Sequence, residues 1–208
     1  TCMTYRDSSS PFSWTHEYLL KVLSTGKDPI VKDPLILNAF RAIDRAYFVP
    51  EDSKHDAYRD RGIPIGYDEE LTSPVVIARI LAALSPRLGG KYLELGTGSG
   101  YLAALLGFLV GKTGQVYTLE RLQWLWQKAR ENIGKVRKDT NNISVLYRDG
   151  IEGLPDKAPF EGIVVSFAID EVPDTLLHQL LPGGKIIYPG KDLNIYVGEK
   201  GIDNELTS

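Results

Sequence analysis

Sulfur and imidazole are scarce in this 208-residue chain, which holds one cysteine, one methionine and three histidines. A single thiol, Cys2, closes no intrachain disulfide, so packing alone must hold the fold, as suits a reducing compartment. Its place near the amino end makes it incidental rather than catalytic. His16 and His178 fall within helical patterns and His55 within a charged loop. No two share metal-ligand spacing, so no metal is expected. Long apolar runs are also missing: the best, Leu102 to Val110 with one glycine inside, is far shorter than the roughly 18 residues a membrane span needs. The opening TCMTYRDSSS lacks the apolar stretch of a secretory signal. Neither sign of charge dominates, since 24 basic against 27 acidic side chains leave −3. Such a surface has no field to draw nucleic acid or an anionic membrane. The expectation is a cytoplasmic monomer with neither kind of partner.

What is present divides the chain in two. From Trp14 to about Ala46 apolar residues recur at three and four positions (Tyr18, Leu19, Val22, Leu23; then Leu35, Ile36, Ala39, Phe40, Ile43), which predicts two or three helices. FVPEDSKHDAYRDRGIPIGYDEELTSP follows, rich in Pro, Gly and charge. It reads as a long ordered loop, and such a loop is commonly a binding element or lid. Ser73 then caps a helix that Pro74 opens, continuing VVIARILAAL. After it, the strand-like runs KYLEL, QVYTLE, ISVLYR, GIVVSF, KIIYP and NIYVGE are interleaved with helical stretches, YLAALLGFLV and PDTLLHQLL among them. This alternation predicts an α/β fold with a doubly wound, mostly parallel sheet covered on both faces, behind an N-terminal helical region. One domain is expected over 1–208: helices and loop over 1–73, an α/β core over 74–200 and a tail over 201–208. Ligands of such sheets bind beyond the carboxyl ends of the strands, where strand order reverses.

Gly96, Gly98 and Gly100 stand at that kind of place, between a strand and a helix. Glycine there admits unusual backbone angles and lets a ligand touch the main chain beside the free N–H groups of a helix start. A dinucleotide fingerprint wants glycine at the first, third and sixth positions, and the sixth here is Tyr101, which argues against a nicotinamide oxidoreductase. The stretch Glu94-Leu95-Gly96-Thr97-Gly98-Ser99-Gly100 instead sets an acid two residues before the glycines. That approach suits S-adenosylmethionine, which is cationic and has no pyrophosphate. Glu120, ending the second strand about 20 residues on, can accept both hydroxyls of a ribose. Asp149-Gly150, ending the third, can meet an adenine amino group, with a plain turn as the competing reading.

The blocks AFRAIDRAYFVPE, AYRDRGIPIGYDEELTSP, YLELGTGSGYLAALL, VYTLER and LLPGGKIIYPG, in this order, resemble the protein-L-isoaspartate O-methyltransferases. The likeness runs from about Trp14 to Val197, and its FVPE, IPIG and TSP segments are far more specific than the glycine block. It implies a Rossmann-like methyltransferase fold and methyl transfer from S-adenosylmethionine, leaving S-adenosylhomocysteine. The acceptor it implies is the α-carboxyl of L-isoaspartyl residues in damaged proteins or peptides; the ester then closes to a succinimide. A carboxyl with a pKa of about 4 is already ionised at neutral pH, so no strong base is needed and alignment carries the catalysis.

Residue by residue, the resemblance places the family's active-site serine on Thr72, whose hydroxyl can donate to a carboxylate. Glu69, Glu70, Leu71 and Thr72 would line the cofactor together with Glu94, Gly96, Thr97, Gly98, Gly100, Glu120, Arg121, Asp149 and Gly150. Ile65, Gly66, Ser73 and Ser166 would meet the substrate, Ser73 also serving as helix cap. Three departures stand out. Glu70 replaces an uncharged residue, Phe167 and Asp170 replace small apolar ones after the fourth strand, and the chain stops at Ser208 where the family continues to one more strand. They sustain two rivals: a methyltransferase esterifying an ordinary aspartate of a dedicated peptide, and a silent module that binds the cofactor without transferring methyl.

Overall fold

The computed structural model describes residues 14–136, 141–192, 194–203 and 205–207. Cys2 and the opening segment lie outside them.

Two short helices come first, α1 (His16–Ser24) and α2 (Pro34–Ala42). Thr15 Oγ1 accepts the Tyr18 N–H at 3.2 Å and Asp33 Oδ1 the Leu35 N–H at 2.8 Å, so both starts are capped by side chains. Their apolar stripes, Leu19, Leu20 and Leu23 against Ile36, Ala39 and Phe40, are buried on each other and on the core. The stretch expected as a loop has structure of its own. It holds 3-10 turns over Arg45–Phe48 and Glu51–Asp56 and a hairpin, β1 (Ile63–Gly66) with β2 (Glu69–Leu71). Tyr67 and Asp68 make its two-residue turn at φ of 57° and 60°. Both central residues of such a turn must be left-handed, and neither is the glycine or asparagine that usually signals one.

The core then follows the predicted alternation: α3 (Pro74–Leu84), β3 (Lys91–Leu95), α4 (Tyr101–Val110), β4 (Gln115–Glu120), α5 (Gln123–Val136), β5 (Ile143–Tyr147), β6 (Phe160–Val165), α6 (Asp174–Leu177), β7 (Leu180–Pro189), β8 (Ile195–Lys200) and β9 (Leu206–Thr207). Strand order is β5-β4-β3-β6-β7-β8-β9, parallel from β5 through β7 and antiparallel at the last two strands. The chain builds outward from β3 through β4 to β5, then crosses back to lay β6 on the other side of β3. The carboxyl ends of β3 and β6 therefore flank the switch point.

The two faces are covered unequally. Tyr92, Val116, Val164 and Ile187 face a core shared with α1 to α5, in which α4 buries every side chain but that of Phe108. Leu93, Leu95, Leu119, Ile163 and Val165 face a thinner cover made by Leu154, Leu176 and Leu180. At about 1.5–3 kcal/mol per buried aliphatic side chain, the helical face holds most of the stability.

Two predicted boundaries shift. The helix expected through Leu181 is one turn long, because buried Gln179 takes the chain back into the sheet. Its carbonyl accepts the Phe160 N–H at 2.7 Å, and its side chain binds Leu154 N, Glu152 O and Thr175 O. At the other end, Leu206 and Thr207 pair with Lys200 and Glu199, so two residues of a further strand are present where none was expected.

Candidate functional site

A cleft of about 430 Å³ opens beyond the carboxyl ends of β3, β4 and β6. The turn after β3 makes its floor. Gly96 and Thr97 both donate backbone N–H to Leu119 O, at 2.9 and 3.1 Å, tying the turn to β4. Gly96 has a φ of 93°, and a Cβ there would sit 3.2 Å from that of Ser166. The bare position thus meets both a backbone and a contact requirement, because Ser166 follows β6 and its N–H bonds Leu95 O at 2.8 Å. Gly100 is bare for another reason. It caps α4 at φ 91°, and a Cβ would lie 3.2 Å from the Ala129 Cα of α5, so it sets helix packing and is not on the cleft wall.

Alternation puts Glu94 of β3 and Thr118 and Glu120 of β4 on one face, with Glu94 in register with Thr118. Thr118 donates to Glu94 Oε2 at 2.6 Å, and the Thr97 hydroxyl lies 2.6 Å from that of Thr118. Glu94 is 1% exposed, and burial pushes its carboxyl up to about 8, against the Thr118 bond and with help from nearby Glu120. Glu120 accepts N–H groups from Gly98 and Leu122, each at 2.9 Å. Both carboxyls line the cleft, as do Thr97, Gly98, Arg121, Asp149 and Gly150. Asp149 Oδ1 also accepts the Ile151 N–H at 3.1 Å, so the plain turn and the cleft position coexist.

The opposite wall is the hairpin. Ile65, Glu69, Glu70, Leu71 and Thr72 line it, and Ser166 with Phe167 closes the lip. Ser73 does not reach the cleft: its Oγ accepts the Val76 N–H at 3.3 Å, capping α3. Gly66 is also off the wall, beside the Trp124 ring at the hairpin turn. The Glu70 carboxylate folds over the bare backbone of Gly62. Asp170 meets Lys191 at 2.5 Å, which balances its charge.

Sequence reasoning passed over two residues that hold this geometry. Arg45, fully buried, sets Nη2 3.4 Å from Leu71 O and its guanidinium 5.2 Å from the Tyr101 ring, joining the end of β2 to the start of α4. Burial lowers its pKa to about 10, with Tyr101 and Asp60 opposing. Its signal was a lone cation among Ile43, Ala46 and Phe48. Asn132 of α5 donates to Ser99 O at 3.2 Å, and nothing in a helical stripe marks such a contact.

Among the described residues no three His, Cys, Asp or Glu side chains gather to hold a metal, and no helix is long and apolar enough to cross a membrane. The cleft does fit a nucleoside bearing a charged amino acid. Its volume is ample for one, its floor exposes backbone, and its two buried carboxyls face no protein cation in any ion pair among the described residues.

Comparison with known proteins agrees with this geometry. A Plasmodium falciparum protein described as a putative protein-L-isoaspartate O-methyltransferase, solved in complex with S-adenosyl-L-homocysteine, shares the fold at a TM-score of 0.76 and 24% identity, with 92% of each chain covered. Another solved protein-L-isoaspartate O-methyltransferase superposes at 0.76 with 26% identity over 90% of this chain and 61% of its own longer one. The protein-L-isoaspartate O-methyltransferase of Ignicoccus hospitalis is 41% identical over 159 residues, 76% of this chain and 74% of that one. That of Methanocella arvoryzae is 43% identical over 147 residues, 71% and 77% of the two chains. Residues 15–199 match the family model of protein-L-isoaspartate(D-aspartate) O-methyltransferase, so the segments FVPE, IPIG and TSP and the glycine turn belong to one continuous match. With nine-tenths of the chain inside it and the switch-point cleft where that fold binds its ligand, the chain belongs to the protein-L-isoaspartate(D-aspartate) O-methyltransferase family.

Proposed function

We propose that this chain methylates the α-carboxyl of L-isoaspartyl residues in damaged proteins or peptides, using S-adenosylmethionine, and so starts their repair through a succinimide. It does so as a cytoplasmic monomer. The observation that carries the reading is Thr72: its residue lies on the cleft wall one position before the cap of α3, across from the glycine turn.

When bound, the donor supplies a methyl group on a cationic sulfur. Gly96 and Gly98 would offer it bare backbone, Glu120 would take the ribose hydroxyls and Asp149 with Gly150 the base. The Thr72 hydroxyl orients the acceptor carboxylate by donating to it, beside the positive end of α3. The acceptor is already ionised, so the chain moves no proton from it. The hairpin and the Phe167 lip exclude water and hold the acceptor in line. Pairing of Asp170 with Lys191 removes one of the charges that would repel an anionic acceptor.

The decisive assay incubates the protein with methyl-labelled donor and matched peptides carrying isoaspartate or aspartate, then counts base-labile methyl esters. Label on the isoaspartyl peptide alone is the expected result. Label on the aspartyl peptide alone would favour the rival, and label on neither despite donor binding would make the protein a silent module.

A further inference from the structure

A buried charge is ordinarily paired, and Arg45 departs from that rule. Its side chain is 0% exposed, yet Nε and Nη1 have no hydrogen-bond partner and Nη2 has only the long 3.4 Å contact with Leu71 O. Carboxylates follow closely in the sequence, but each is engaged elsewhere. Asp44 accepts from Ala46 N–H and from the Tyr58 hydroxyl, both at 2.9 Å. Asp56, itself buried, pairs with the exposed Arg59 and Arg61. Asp60 is exposed, accepts the Val75 N–H at 3.4 Å and reaches Arg45 only through space.

What Arg45 does touch is the back of the cleft wall. Leu71 O belongs to the peptide bond that leads into Thr72, and the Tyr101 ring centre lies 5.2 Å from the guanidinium. Leu71, Thr72 and Tyr101 all line the cleft, whereas Arg45 stands one layer behind them. An anionic acceptor has little else to draw it. Glu69, Glu70, Glu94, Glu120 and Asp149 line the same cleft, and the one lining cation among the described residues, Arg121, is exposed and 3.9 Å from Glu69. Arg45 remains protonated at neutral pH, since burial brings it down only to about 10. Its field acts through a dry wall, where neither salt nor a paired carboxylate cancels it.

We propose that Arg45 is a specificity-determining residue for the methyl acceptor: unpaired and buried behind Leu71 and Tyr101, its guanidinium draws a carboxylate to the Thr72 end of the cleft in preference to an uncharged group. This rests on the reading that Thr72 meets an acceptor carboxylate. A lone buried cation costs the fold stability, and a partner carboxylate that relieved the cost would also cancel the attraction on which the acceptor depends. The orphan nitrogens are therefore part of the design of the site, and the tie to Leu71 O alone does not account for them.

Two matched peptides test this, one carrying an isoaspartyl residue and the other the same residue with its α-carboxyl as the amide. Each is titrated into the intact protein saturated with S-adenosylhomocysteine, so that no transfer occurs and any effect on the donor cancels. The native protein should bind the anionic peptide about tenfold more tightly than the amide, Arg45→Met should cut that ratio to about twofold or less, and Arg45→Lys should keep most of it. A role confined to tying β2 to α4 would weaken both peptides together and leave the ratio unchanged in Arg45→Met. That outcome overturns the proposal, as does a native protein that does not distinguish the peptides, and in either case the isoaspartyl reading stands on its own assay. Arg45→Met should melt no lower than the native protein, because an unpaired buried charge gives way to an apolar side chain. If it does not fold, the native ratio in salt decides: one that about 0.5 M salt leaves intact supports a buried charge, and one that salt abolishes belongs to exposed Arg121 and overturns the proposal. Failure of the native protein to bind either peptide defeats the isoaspartyl reading and this proposal together.

Discussion

The floor and the cover of the cleft are built to different standards. The glycine turn is tied at nearly every residue: Gly96 and Thr97 to Leu119, Gly98 to Glu120, Ser99 to Asn132, and Gly100 against α5. The hairpin opposite has strands of four and three residues, a left-handed turn at Tyr67 and Asp68, and, besides the packing of Ile63, Ile65 and Leu71 and the Tyr67–Trp124 ring contact, two polar cross-ties. One is the long contact of Arg45 with Leu71 O; the other is the Arg121–Glu69 pair, exposed and worth little. Segments with so few polar ties open locally at lower free energy than ones tied at every residue. The floor is thus the more densely tied of the two, and the cover is the side with fewer polar bonds to break when a polypeptide acceptor is accommodated.

The harshest way to break this contrast is Gly96→Val. It forces a β-branched residue to φ 93° and into Ser166, so a stability loss of about 2–4 kcal/mol and loss of donor binding are expected by denaturant melting and calorimetry. Thr72→Val on the cover should leave donor affinity unchanged and slow transfer about 10–100-fold, the worth of one hydrogen bond to a charged acceptor. Thr72→Ser should restore the rate; a lowered donor affinity in the valine variant would place Thr72 in the floor's work instead. The mildest test replaces Tyr67-Asp68 with Asn-Gly, residues that adopt the left-handed turn readily. A gain of about 0.5–1 kcal/mol in stability is expected, and a slower turnover alongside it would show that the cover's looseness serves the reaction.

The same contrast marks where the sequence was legible. β3, α4 and β4 stand where apolar periodicity puts them, since a buried parallel strand and a buried helix leave strong patterns. The glycine turn was readable as a close approach of backbone, although Gly100 serves α5 and not the cleft. The β1–β2 hairpin was hidden because its turn has neither Asn-Gly nor Asp-Gly, and the alternation of three or four residues is too short to rise above chance. The one-turn α6 was overread because DTLLHQLL has helical spacing throughout. What stops it is the Gln179 side chain meeting Leu154 and Glu152, a tertiary event with no local sign. Arg45 escaped for a like reason: a cation looks solvated until the fold closes over it.

The strand order β5-β4-β3-β6 has a bearing on how such an enzyme diversifies. The residues proposed to hold the ribose, the base and the backbone-contacting part of the donor stem from β3, β4 and β5, while Glu69 to Thr72 line the same cleft from the hairpin. The pieces proposed to meet the acceptor, the hairpin and the segment beginning at Ser166, reach the cleft from other stretches of chain. Drift at Glu70, Phe167 or Asp170 can therefore retune which polypeptides are accepted while the methyl supply is inherited intact.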